Sequence, residues 1–337
     1  MTSLYVDRRG TEIRVDGGAL VFYENDKRIG TVPLAPLSRV ILRGDIKLSA
    51  GVLGKLGEHN IGIIVVSGRK GEASLLMGRP HNDARRRLAQ YRYAQDPDFC
   101  LVYARNLVRA KLISQLELVQ QLREDRLMQR YQLSLKTRQI QDLIDQRLPK
   151  ASSIDSLRGL EGTGASMYFS ALAQVTPASL KFTGRNRRPP KDPFNSILSL
   201  GYTMLHSEAV LALYGSGLDP FIGFYHALYY GRESLASDVI EPLRAEVDAF
   251  AISIFSRQQL RAEDFTYNQG ACMLGKAGRQ RFYQLYEALG ERIRHGLGEQ
   301  IRALASQMAD LPLDTENDRD GSDAEDGSEA DGLSDLL

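Results

Sequence analysis

The hydrophobic period of the chain changes once, near residue 80, and that change limits what it can fold into. Before it, apolar residues come in short β-branched and aromatic runs: Leu4-Tyr5-Val6, Glu12-Ile13-Arg14-Val15, Ala19-Leu20-Val21-Phe22-Tyr23 and Arg28-Ile29-Gly30-Thr31-Val32. The turn formers Arg9-Gly10, Gly17-Gly18 and Asn25-Asp26 separate these runs. Ser38 to Leu42 predicts another strand, Ala50 to His59 a short helix, Ile61 to Val66 an almost wholly apolar strand, and Ala73 to Met77 a last strand. Beyond the change, Asp83 to Gln95 reads as a helix capped by Asn82. From Asp96 onward, Leu101, Ala104, Val108, Leu112, Leu116 and Val119 recur at helical spacing, with Pro97 in the first turn. Further helices are predicted near Leu127 to Leu148, Ser153 to Ala173, Phe194 to Tyr214, Leu235 to Phe255 and Gly278 to Met308. The expected class is α+β: an N-terminal β-sandwich domain over residues 1–81, a larger all-α domain over 82–312, and a disordered tail over 313–337.

A chain of 337 residues exceeds the usual size of one domain. No unbroken apolar run of about 18 residues suggests a membrane span, and no N-terminal signal pattern is visible, so a cytoplasmic protein without membrane contact is expected. Cys100 and Cys272 fit no zinc or redox spacing. The net charge of +1 hides an asymmetry. Residues 314–337 hold ten acids and one base, which leaves 42 bases against 32 acids in the body, a surface suited to a polyanion. The Asp/Ser/Gly-rich tail reads as a solubilising extension, with mimicry of nucleic acid as the alternative. Arg85, Arg86, Arg87 and Arg92, beside Tyr91 and Tyr93, make either a DNA track or a solvated helix face.

The helical part carries the chemistry. A divalent cation that works on phosphodiesters is hard, preferring carboxylate oxygen and accepting imidazole. Glu161, His226 and Glu241 could supply that set, and Glu161 precedes the small residues Gly162-Thr163-Gly164-Ala165. Each residue also has a structural alternative: Glu161 paired with Arg158 on its own helix, His226 as a core histidine, and Glu241 paired with Arg244 at the surface. Asp238 and Glu241 stand three apart on a predicted helix, so both carboxylates are expected on one side. The proline-rich stretch with Arg185, Arg187, Arg188 and Lys191 is expected to grip DNA phosphate, and Lys276 and Arg279, beside Arg281, form a second basic cluster.

Arg187-Arg188-Pro189-Pro190-Lys191-Asp192-Pro193-Phe194-Asn195, Leu200-Gly201-Tyr202, Gly223-Phe224-Tyr225-His226 and Ser234 to Arg244 together resemble the Cas-one family, the integrase and endonuclease of CRISPR spacer acquisition. Leu160-Glu161-Gly162 with Gly164-Ala165 and Tyr168-Phe169 resembles its first metal-ligand motif, and the resemblance spans roughly residues 1–305. It implies that the helical domain is catalytic and that Glu161, His226 and Glu241 bind manganese or magnesium, with Asp238 adjacent. It also implies a homodimer, a small partner (Cas-two), and double-stranded DNA in two roles, protospacer and CRISPR repeat. The implied reaction is a transesterification in which the 3′-hydroxyl of a short DNA fragment attacks a repeat phosphodiester, and water in place of that hydroxyl gives nuclease activity. As a ligand, His226 must be neutral, so activity is expected to fall in acid. Gly164 and the acidic tail depart from the family pattern. A metal nuclease for branched DNA and an architectural DNA-binding protein are the competing readings.

Overall fold

Strand alternation in the first 77 residues builds two sheets. The computed structural model describes residues 2–66, 73–77, 84–186 and 189–309. Asn82 with the expected 81/82 boundary, Arg187, Arg188 and the acidic tail lie outside the described residues. The strands are β1 (Thr2–Val6), β2 (Thr11–Asp16), β3 (Ala19–Glu24), β4 (Lys27–Pro33), β5 (Leu37–Arg43) and β6 (Ile46–Leu48), then, after α1 (Ala50–Glu58), β7 (Gly62–Val66) and β8 (Ala73–Leu76). One sheet has the order β1-β5-β7-β8, with β5 parallel to β1 and β7 and β8 antiparallel to β7. The other runs β4-β3-β2-β6, antiparallel except for β2 with β6. Ile13, Leu20 and Phe22 from the second sheet pack with Val40, Leu42 and Ile63 from the first, and Val52 and Leu56 of α1 join the same core.

The first sheet is buried on its other face too. Ile41 and Ile64, which pair in register, belong with Val66 to the large core of the helices. Burial on both sides explains why Ile61 to Val66 is apolar at nearly every position instead of alternating.

The helices are α2 (Ala84–Ala94), α3 (Pro97–Asp125), α4 (Arg130–Asp142), α5 (Ile154–Val175), α6 (Pro193–Gly215), α7 (Ser234–Ile240), α8 (Arg244–Ser256) and α9 (Lys276–Ala309). Asp96 caps α3, accepting from Asp98 and Phe99 amides, and a Ser153–Ser156 capping box starts α5. Among the described residues α6 is the one helix long and apolar enough to cross a membrane, but it is a core helix with Phe194, Ile197, Leu198, Met204, Leu205 and Leu213 fully buried.

Two expectations need correction. The region after residue 84 is mostly helical, not all-α: Phe265–Asn268 and Ala271–Leu274 form a hairpin, β9 and β10. Its turn residues Gln269 and Gly270 both have positive φ, 49° and 78°, matching the twist of a two-residue hairpin. The single helix expected from Leu235 to Phe255 is broken at Glu241–Leu243, a 3-10 turn. Pro242 has no N–H to continue the α7 ladder, so the chain re-enters helix only at Arg244.

Ion pairs join the sheets to the helices. Glu208 of α6, fully buried, lies between Arg39 of β5 and Arg294 of α9, the latter at 3.4 Å. Arg294 also pairs with Glu287 at 2.8 Å, which accepts from the Tyr5 hydroxyl at 2.9 Å, and Tyr5 stacks on Tyr283 at 4.8 Å. Burial, then the neighbouring Arg294 charge, lowers the Arg39 pKa to about 10. Glu208→Ala leaves these two guanidiniums without their shared anion, so a loss of about 3 to 5 kcal/mol in unfolding free energy is expected in a urea titration.

Candidate metal centre

Asp238, at 0% exposure, organises the end of the loop between α6 and α7. Its Oδ2 accepts from the Phe224 and Tyr225 amides at 2.8 and 3.1 Å, and Oδ1 accepts from the His226 amide at 3.0 Å. Oδ1 also takes the imidazole Nδ1 at 2.6 Å. A carboxylate there sets the proton on Nδ1 and leaves the Nε2 lone pair for another partner, the arrangement that orients metal-binding histidines. Gly223 permits the turn, since a Cβ at that position would lie 2.8 Å from Asp238 Oδ2 and 2.8 Å from the Ser234 carbonyl carbon.

Glu161 projects from α5 towards α3. One turn along, a Cβ on Gly164 would come within 2.4 Å of the Leu112 side chain, so the glycine lets the two helices approach closely. That approach brings Lys111 of α3 onto Glu161 Oε1 in a short ion pair. The other carboxylate oxygen, Oε2, accepts from the Tyr225 hydroxyl at 2.6 Å. Arg158 pairs instead with Asp155 at 2.9 Å, so the intrahelical partner expected for Glu161 is not the one it has.

Glu241 approaches from the 3-10 turn after α7. Its Oε2 lies 2.6 Å from Lys111 Nζ, and its Oε1 accepts from Arg244 Nε at 2.9 Å. The Arg244 pair therefore exists, but the Glu241 side chain is only 6% exposed, so it is an interior pair, not a surface one. The Lys111 ammonium is thus the charged donor that faces the buried Oε2. Burial opposes charge on Glu241, yet Arg244 and then Lys111 outweigh it and hold its pKa down to about 2. Burial likewise opposes charge on Lys111, but Glu241 and Glu161 raise its pKa.

A second polar layer backs the first. The Arg244 guanidinium sits 4.7 Å from the centre of the Tyr202 ring, whose hydroxyl donates to Asp248 Oδ1, and Tyr168 donates to Asp248 Oδ2 at 2.7 Å. Burial raises Asp248 to a pKa of about 6 against the pull of both phenols and of Arg244.

The sequence-predicted residues thus fall into two linked groups. Glu161 and Glu241 meet through Lys111, and Asp238 holds His226. Asp238 faces the loop while Glu241 faces Lys111, because the helix changes its winding between them. Among the described residues no three His, Cys, Asp or Glu side chains surround a common point as they stand. The donor set itself suits a hard divalent ion: two carboxylates whose facing oxygens share one ammonium, and an imidazole held through Nδ1. Lys111 is missing from the sequence reading, although its signal was present. It is a lone cation on the buried stripe of Ala104, Val108, Leu112, Gln115 and Val119. Arg244 is legible as the residue three along from Glu241, whereas Tyr225 and Asp248 give no comparable signal.

The expected basic grips are placed unevenly. Arg185 turns inward, donating to Asn195 Oδ1 at 2.8 Å and Ser199 Oγ at 3.2 Å, with its guanidinium 5.4 Å from the Tyr202 ring centre. Asp192 caps α6 through the Asn195 amide at 2.8 Å, and Asn195 in turn donates to the Gly184 carbonyl, so this motif knots the loop. Arg279 pairs with Asp7 at 2.7 Å, across to the sheet. Lys191 and Lys276 are exposed. Leu228, Tyr229 and Tyr230, directly after the His226 segment, are exposed as well.

The family model described as CRISPR associated protein Cas1 matches residues 4–288. The chain belongs to the Cas1 family. It is 40% identical over 289 residues to CRISPR-associated endonuclease Cas1 1 of Thermodesulfovibrio yellowstonii, covering 85% of this chain and 91% of that one. A Cas1 protein from Thermotoga maritima shares the fold with a TM-score of 0.78 at 21% identity, over 92% of this chain and 97% of that one. A chain in a Cas6-RT-Cas1–Cas2 complex, 27% identical, superposes with a TM-score of 0.77 over 91% of this chain and 35% of its own length. Cas1 membership makes this protein a CRISPR-associated endonuclease.

Two glycines should respond oppositely to alanine. Gly223→Ala forces a methyl into Asp238 and the Ser234 backbone and is expected to destabilise by about 1 to 3 kcal/mol. Gly159→Ala, in α5 with open space at its Cβ, should stabilise by about 0.5 to 1 kcal/mol in the same denaturant series. The carboxylates also set a pH profile. Glu241, folded near 2 against an ordinary 4.5, contributes stability above about pH 4.5 that is lost as pH falls towards 2. Asp248, folded near 6 against 3.8, stabilises fully below about pH 3.8, and that contribution, about 3 kcal/mol, is lost as pH rises through 6. Asp248→Asn should flatten the decline between pH 4 and 6 while keeping the acid loss, as read by thermal melts across pH.

Proposed function

We propose that this Cas1-family chain is a divalent-metal-dependent integrase and endonuclease that inserts short DNA fragments into a CRISPR repeat array. The observation that carries this reading is the convergence of Glu161 and Glu241, from two different helical segments, on one buried point, beside an imidazole whose tautomer Asp238 sets. Glu161, His226 and Glu241 would hold a manganese or magnesium ion, which when bound supplies Lewis-acid polarisation of a phosphoryl oxygen. The chain's own groups do the rest. Asp238 holds the imidazole through Nδ1 and aims Nε2 away from itself, and Arg244 and the Tyr225 hydroxyl anchor one oxygen of each of the two carboxylates.

In the proposed reaction the 3′-hydroxyl of the incoming fragment attacks a repeat phosphodiester, one P–O bond forming as another breaks and the leaving strand taking the proton. With water as nucleophile the same site cuts DNA. Double-stranded protospacer and repeat DNA would run over the exposed Lys191 and Lys276, with Arg187 and Arg188 of the same basic loop. The inward contacts of Arg185 and Arg279 favour roles for them in holding the loop and the sheet junction. By analogy with the related chain found with Cas2, the protein would work with a small Cas2-type partner; the homodimer implied by the sequence resemblance and the cytoplasmic location expected from the sequence complete the proposal.

The test is strand transfer of a labelled short duplex with 3′-hydroxyl ends into a plasmid carrying a repeat array, with the partner and Mn2+ present. Loss of an outer-shell support commonly costs about 10- to 100-fold, so Glu161→Ala, which removes a ligand itself, should lower joining by at least about a hundredfold. Equal joining by the variant would sink the ligand assignment. Cutting of branched DNA without any joining would turn the reading towards a repair nuclease.

A further inference from the structure

The oxygens of the two metal-site carboxylates divide into an outer and an inner pair. The outer pair has protein donors: the Tyr225 hydroxyl on Glu161 Oε2 and Arg244 Nε on Glu241 Oε1. The inner pair, Glu161 Oε1 and Glu241 Oε2, shares one ion-pair partner among the described residues, the ammonium of Lys111. A divalent ion held by Glu161 and Glu241 would compete with the Lys111 ammonium for these carboxylates, since two cations cannot share one position.

We propose that Lys111 is an internal counter-ion that fills the cation position of the metal-free protein and is displaced from it when the ion binds, so that the chain sets its own metal affinity. The inference rests on the metal-dependent reading of this site. Three features support displacement over permanent occupation. Tyr225 and Arg244 keep both carboxylates anchored after the ammonium leaves. Lys111 stands on the buried stripe of α3 with Leu112 and Gln115, and its ammonium ends a flexible four-carbon stem that can turn aside. Glu161 Oε1 and the buried Glu241 Oε2, the latter 2.6 Å from Nζ, share that one ammonium, so a single incoming cation can take over its charge role. Without Lys111 the metal-free protein would hold two carboxylates together in the interior with no charge between them.

The experiment is calorimetric titration of Mn2+ into the metal-stripped full chain as wild type, Lys111→Met, Lys111→Gln and Glu161→Ala, with circular dichroism to establish folding. Two substitutions of Lys111 are used because its stem is buried: methionine keeps the bulk and glutamine keeps a donor. Either folded variant should bind Mn2+ at least about tenfold more tightly than wild type, which is about 1.4 kcal/mol. Its melting temperature should be lower without metal and rise further at saturating Mn2+ than that of wild type. Unchanged or weaker affinity in the Lys111 variants, with wild-type binding present and Glu161→Ala binding lost, overturns the counter-ion role and leaves the metal site standing. Absence of Mn2+ binding in all four proteins overturns both.

Discussion

Two carboxylates from separate helical segments cannot be buried side by side unless positive charge lies between them. The arrangement of α3, α5 and the turn after α7 answers that demand. Lys111 crosses from α3 to reach Glu161 and Glu241, and Arg244 closes the far side of Glu241. Removing one partner from such a group leaves an uncompensated interior charge, a change that typically costs several kcal/mol. At Gly164 the two helices come close enough that a Cβ would have to displace the end of the Leu112 side chain.

Around this centre each functional side chain is held by another that has no chemistry of its own to perform. Asp238 spends both oxygens on three successive amides and on the imidazole, so the orientation of His226 follows from backbone hydrogen bonding more than from its own packing. Arg244 is held over the Tyr202 ring, and Tyr202 with Tyr168 satisfies Asp248 in the interior. The break at Pro242 separates the duties of Asp238 and Glu241: the change from α-helix to 3-10 turn lets one face the loop and the other the lysine.

The N-terminal sheets are joined firmly to this helical body. Ile41 and Ile64 extend the helical core into the first sheet, and Glu208 with Arg39 and Arg294 forms a polar clasp beside it. The strands therefore serve as more than an appended module, because one of their faces is part of the hydrophobic core shared with the helices.

Much of this was legible in the sequence. The change from alternating to helical periodicity separates strands from helices, Asp96-Pro97 marks a helix start, and the spaced motifs around Glu161, His226 and Glu241 single out the candidate ligands along with their Cas1 kinship. Those features are local, set by backbone sterics and side-chain type over a few residues. The hairpin at Phe265 to Leu274 was missed although its Gln269-Gly270 turn was readable, because helical surroundings on both sides masked a short signal. What only the tertiary structure decided is which charges meet. Lys111 lies 50 residues from Glu161 in the chain, and Tyr225 lies 64 from it. Partners that far apart are chosen by how helices pack, whereas sequence spacing speaks only to neighbours along one element. The sequence determined the donor set; the packing of α3 against α5 decided that a lysine stands between its two carboxylates.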